Sequence, residues 1–166
     1  MFSSIAILVV ANAQVTPSTP PAFVGSWIGT LTYRDYSDNS LQKLGTLVRI
    51  YKEKGEDTLV FRYVYDDGPK KVLQESETVQ IDWAKKKYIV TSDEGKQINS
   101  YDLKTRLKPD GTGELSLTGK GTENNVEVDV LTTIKIKTNQ FKILRQTRPK
   151  GANFAFRHEF SFSRVN

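Results

Sequence analysis

His158 is the only histidine in 166 residues, and there is no cysteine. These two counts remove much chemistry at once. Thiol nucleophiles, disulfides and cysteine zinc sites are absent, and no metal site can be built on two histidines. His158 lies in the run Phe154-Ala155-Phe156-Arg157-His158-Glu159-Phe160-Ser161-Phe162, where alternation puts it on the phenylalanine side. Glu159 falls on the opposite side, and no Gly-x-Ser-x-Gly elbow occurs, so a serine hydrolase is not indicated. The expected role of a lone imidazole on such a wall is a core histidine bonded to a backbone carbonyl.

The charged groups sort in the same way. Asp66-Asp67 and Asp93-Glu94 fall where turns are expected, and read as turn formers. Glu127 and Asp129 share one side of a run and read as a solvated outer face rather than a calcium pair. Arg145 shares a side with Phe141 and Ile143. An arginine among apolar neighbours either closes the end of a barrel or holds a carboxylate inside a cavity. The net charge is +5, with a Lys85-Lys86-Lys87 cluster and a late group of Arg145, Arg148, Lys150 and Arg157. Base-stacking aromatics are not interleaved with these groups, so nucleic acid is not an expected partner. The lysine run reads as a hairpin turn that discourages edge-to-edge pairing. Acid–base residues do not assemble in any recognisable spacing; no catalytic residue, metal site or enzyme activity is expected.

The elements that must position these groups are strands. Apolar residues recur with period two in Trp27–Tyr33, Leu44–Ile50, Leu59–Tyr65, Val79–Trp83, Val126–Ile136 and Phe154–Phe162, the signature of half-buried β-structure. Gly, Pro, Asn and Asp punctuate the runs at close to the 8–12-residue spacing, about that of a sandwich or barrel. About ten strands are expected. Gln74 to Thr78 reads as the one short helical turn, and Gly68 to Glu75 as loop. Short links imply an antiparallel up-and-down meander, and closing it into a barrel removes two exposed edges. The inner wall is expected to carry Phe61, Tyr63 and Tyr65 from one strand and Phe156, His158 and Phe160 from the last. Aromatic bodies with polar tips suit an amphipathic ligand.

Ahead of the strands, Ile5 to Ala11 is a short apolar run followed by Ala11-Asn12-Ala13. This reads as a signal peptide over 1–13 with cleavage after Ala13. The run is shorter than the about 20 residues a spanning helix needs. Residues 14–22 read as an extended Pro/Thr linker, and 23–166 as a single barrel domain. A secreted or periplasmic bacterial protein is expected.

The segment Gly25-Ser26-Trp27-Ile28-Gly29 resembles the Gly-x-Trp opening of the calycin superfamily, which includes lipocalins, fatty-acid-binding proteins, avidins and nitrobindins. The resemblance implies an all-β, antiparallel up-and-down barrel of about 8–10 strands. It also implies that Trp27 closes one barrel end against a late basic residue, a part for which Arg164 is placed. An exported carrier of a small hydrophobic or amphipathic molecule then follows, with Phe61, Tyr63, Tyr65, Arg145, Phe156, His158 and Phe160 as its ligand-binding residues and no cofactor. Likeness to nitrobindins implies an alternative, a b-type haem held by His158. A second alternative is an envelope interaction or structural module whose barrel is filled with side chains.

Overall fold

The computed structural model describes residues 22–53, 58–69, 71–92 and 97–165. The expected signal peptide, and all of the linker except Ala22, lie outside them. Ten strands follow in order: β1 (Gly25–Arg34), β2 (Leu41–Lys52), β3 (Thr58–Asp66), β4 (Val72–Asp82), β5 (Lys87–Ser92), β6 (Ile98–Leu107), β7 (Gly113–Glu123), β8 (Val126–Ile136), β9 (Gln140–Pro149) and β10 (Ala155–Arg164). Each pairs antiparallel with its sequence neighbours, and β1 also pairs with β10, closing an up-and-down barrel. Among the described residues there is no helix.

Turn chemistry accounts for the sharpest link. Asn124 (φ 47°) and Asn125 (φ 63°) form the two-residue connection between β7 and β8. Two successive left-handed residues match the twist of a tight hairpin, and asparagine tolerates that conformation better than most residues.

Gln74 to Thr78 is not helical. It lies inside β4, whose register with β3 runs unbroken from Asp66↔Val72 to Thr58↔Gln80. Local preference in this polar stretch is weak, and leaving β3 without a partner would break the closed barrel, so sheet pairing prevails. One side of β4 therefore carries Leu73, Glu75, Glu77, Val79 and Ile81.

The barrel is filled at the end where β1 begins. Phe23 and Trp27 are fully buried, and Trp27 Nε1 donates to the Phe23 carbonyl at 2.7 Å. Trp27 meets Phe141 edge-on at 4.8 Å, and Phe141 lies 4.7 Å from Phe162. The Arg164 guanidinium sits 4.2 Å from the centre of the Trp27 ring and donates to the carbonyls of Ala22, Val24 and Thr138. The stack and the three carbonyls tie the incoming chain, the β8–β9 turn and the last strand together. The closing seam needs a glycine at 29, because a Cβ there would stand 2.0 Å from the Ser161 carbonyl oxygen. The barrel is not filled throughout, as the structural-module alternative required: side chains pack densely at this end, and a cavity remains among the buried tyrosines further along.

Candidate functional site

Towards the other end the interior opens into a cavity of ≈ 320 Å³. Phe61, Tyr63 and Tyr65 of β3 line it in alternation, as do Glu75 and Glu77 of β4, Tyr88 and Val90 of β5, Asn99 and Tyr101 of β6, Ile143 and Arg145 of β9, and His158 and Phe160 of β10. A second space of ≈ 310 Å³ adjoins it at the mouth, bounded by Leu31, Tyr33, Leu44, Leu73 and Arg157. The two share Tyr65, Glu75, His158 and Phe160 as walls.

Six of the seven residues expected on the ligand wall are therefore brought together. Phe156 is not among them. The pairing of β10 with β9 shifts between Phe156↔Gln146 and His158↔Arg145, leaving Arg157 as an extra residue. This bulge takes Phe156 off the inward register and re-aims a side chain. Arg157 turns over the mouth instead. Its guanidinium lies 3.4 Å from the centre of the Tyr36 ring, bonds Tyr36 Oη at 2.9 Å and the Arg34 carbonyl, and stands 3.4 Å from Glu123.

One wall of the cavity is an aromatic platform. Tyr63 and Tyr65 stack with ring centres 5.9 Å apart and planes 7° off parallel, and Phe160 covers Tyr63 at 5.4 Å. Beside the platform are the two carboxylates of β4. Tyr63 Oη donates to Glu77 at 3.1 Å, and Tyr65 Oη donates to Glu75 at 3.2 Å. Burial pushes the Glu77 carboxyl above the ordinary carboxylate range, against the opposing pull of the Tyr63 bond. Burial, with the facing carboxylates, holds Tyr63, Tyr65 and Tyr88 protonated.

Arg145 comes from β9. Its Nη1 bonds Tyr101 Oη at 3.3 Å, the only hydrogen bond it makes to the described residues, and it pairs with no carboxylate among them. Two glycines of β7 make room for this pair. A Cβ at Gly119 would stand 2.7 Å from the Tyr101 ring, and one at Gly121 would stand 3.3 Å from Arg145 Nη2. A half-buried guanidinium with one phenol for company keeps most of its five donors for something else.

His158 is neutral. Burial, then the charges of Arg145 and Arg157, depress its pKa to about 3. Its ring meets Phe160 edge-on at 5.5 Å and makes no hydrogen bond to the described residues. That bears on the haem alternative. A metal-bound histidine almost always gives its second ring N–H to a carboxylate or carbonyl. His158 has no such acceptor among the described residues, and two carboxylates and four phenols share its cavity. These residues do not fit a haem ligated by His158. The carbonyl-bonded core histidine expected from the sequence is not formed either.

Glu75, Glu77, Tyr88 and Arg157 were not among the expected site residues. For the two glutamates a signal existed: extending the Val79, Ile81 alternation backwards passes through Glu77 and Glu75. Reading that stretch as turn and loop hid them. Arg157 depends on the bulge, which no periodicity shows.

No family model and no curated protein matches the chain. Among solved structures, an S-type phycobiliprotein lyase, CPES from Guillardia theta, is similar, with a TM-score of 0.58 and 11% identity over 87% of this chain and 89% of that one. At that identity the likeness is one of fold. The ten-stranded closed meander fits a calycin-type barrel.

Proposed function

We propose that this barrel binds a small amphipathic molecule carrying an acid group, with the flat apolar body on the Tyr63, Tyr65 and Phe160 platform and the acid on Arg145. The observation that carries the reading is Arg145 itself. It is a half-buried guanidinium facing a cavity, with one long bond to Tyr101 and no carboxylate partner among the described residues. Burying a charge without a partner costs several kcal/mol when desolvation is complete, roughly. An anionic ligand removes that cost by supplying two parallel charge-assisted bonds.

The function we infer is carriage without turnover, in an exported protein. The calycin-type fold is compatible with it, although the similar solved structure bears the name of a lyase. The test is fluorescence titration with 2-naphthoate, a flat aromatic acid, followed by chromatography of the recovered ligand. Saturable binding that Arg145→Met abolishes, with ligand returned unchanged, is the expected result. Binding that survives the substitution removes the reading. A modified ligand would keep the site and replace the carrier with an enzyme. The alternative haem reading predicts an absorbance band on adding haemin, lost in His158→Ala; the expected outcome here is no such band.

A further inference from the structure

Arg145 accounts for one wall of the cavity, and the carboxylates of β4 remain. Glu75 and Glu77 stand two residues apart on the same inward side of one strand, so they are near neighbours on one wall. Neither makes an ion pair with any described residue, and each accepts one hydrogen bond, from a tyrosine of the adjacent strand. A carboxylate has room for about four such bonds, so most of the acceptor capacity of this wall is left facing the cavity. Two carboxylates side by side in a half-buried site are a cost to folding; the Arg145 charge in the same cavity favours the ionised Glu77 but forms no ion pair with either. The platform of Tyr63 and Tyr65 lies beside them, and tyrosine faces attract cations.

From this juxtaposition we propose that the ligand is an ampholyte: a flat molecule with its acid on Arg145 and a basic nitrogen, or an array of N–H donors, on Glu77 and Glu75. The inference rests on the acid-binding reading above and adds the second pole. It explains why one cavity holds two unpaired carboxylates and an unpaired guanidinium that do not pair with each other. With no ion pair between them, both poles remain available to a molecule that enters the cavity. A cation beside Glu77 opposes the effect of burial and draws its carboxyl back towards the ionised form.

The test uses three naphthalenes of matched body: 2-naphthoate with the acid alone, 2-(aminomethyl)naphthalene with the amine alone, and 6-(aminomethyl)-2-naphthoate with both at opposite ends. The ampholyte is expected to bind at least about tenfold more tightly than either parent, one added charge-assisted bond being worth that much or more. Glu77→Gln is expected to remove the advantage of the ampholyte over 2-naphthoate, both measured on the same variant. Calorimetry in two buffers of different ionisation heat, at a pH just above the ordinary carboxylate range, reads the second consequence on the wild-type chain: binding of the ampholyte releases more protons than binding of 2-naphthoate does. Should 2-naphthoate bind while the ampholyte binds no better, or should Glu77→Gln leave the advantage intact, the ampholyte is overturned and the acid-binding reading stands. Should 2-naphthoate itself fail to bind, both fall. Where Glu77→Gln does not fold, Glu75→Gln and the two-buffer measurement decide alone.

Discussion

Replacing Arg145 with methionine separates stability from function, because only binding responds strongly. The barrel loses one hydrogen bond, a long one at 3.3 Å. Bonds to charged groups contribute about 1.5–3 kcal/mol, and this geometry places it at the low end. Against that loss stands the relief of a guanidinium held partly out of water with no counter-ion. Complete burial costs several kcal/mol, and the open mouth of the cavity reduces this to roughly 1–2 kcal/mol. The two nearly cancel, so the unfolding free energy of Arg145→Met is expected within about 1 kcal/mol of wild type in either direction. Methionine follows the path of the arginine stem and keeps its packing. Acid binding behaves differently. A bidentate guanidinium–carboxylate contact is worth about 3 kcal/mol, so affinity for 2-naphthoate should fall by roughly 100-fold. Urea unfolding followed by tryptophan fluorescence gives the first quantity and ligand titration the second. Loss of more than about 3 kcal/mol of stability would show that Arg145 braces the wall rather than serving a ligand. Retention of binding to within a few-fold would refute the role of Arg145 outright.

Gly121→Ala should lower the urea midpoint as well as weaken 2-naphthoate binding, since its Cβ would stand 3.0 Å from the buried Val130 methyl and 3.3 Å from the tip of Arg145; unchanged binding would remove the account of how Arg145 is admitted. Gly29→Ala should cost about 3 kcal/mol or more, because its Cβ would meet backbone at 2.0 Å and the β1–β10 seam cannot yield locally; unchanged stability would remove the account of barrel closure. His158 enters the folded barrel neutral, with its pKa depressed to about 3 against an ordinary 6.5. The unfolded chain therefore binds a proton that the folded barrel refuses, and stability falls as pH drops from about 6.5 towards 3, by at most about 1.4 kcal/mol per pH unit. His158→Phe should flatten that slope in urea unfolding at pH 4 and 7. Glu77, whose carboxyl burial raises, acts in the opposite sense, because it must ionise in place as pH rises above the ordinary carboxylate range. Relative to wild type, Glu77→Gln should gain stability at pH 8 compared with pH 4.

The strands were legible because a half-buried strand must alternate, and residues such as Val126 to Ile136 alternate with Leu131 as the one apolar residue on the polar side. The turns were legible because Asn124-Asn125 and Pro109-Asp110-Gly111 offer the backbone conformations that tight links demand. The aromatic wall followed from the same alternation, so Phe61, Tyr63, Tyr65, His158 and Phe160 were found, as was Arg145 beside Ile143. Alternation does not report a bulge. One extra residue at Arg157 moved Phe156 off the inner register and brought an unforeseen guanidinium over the mouth. Nor does it rank a polar stretch as strand when apolar residues are sparse, which is why β4 kept its glutamates hidden.

Length, absence of cysteine, period-two patterning and turn chemistry thus determined an all-β meander, and determined it locally, because each rests on the preferences of residues close in sequence. What only the tertiary structure decided is which charges meet. Closure of β1 on β10 filled one end of the barrel with Trp27, Phe141 and Phe162 and left the other end hollow. Register from β4 through β9 then faced Glu77 towards a space it shares with Arg145 and set Tyr101 and Arg145 against the two glycines that admit them. Pairing between strands distant in sequence decides those contacts, and a one-residue slip would have turned each of these side chains outward.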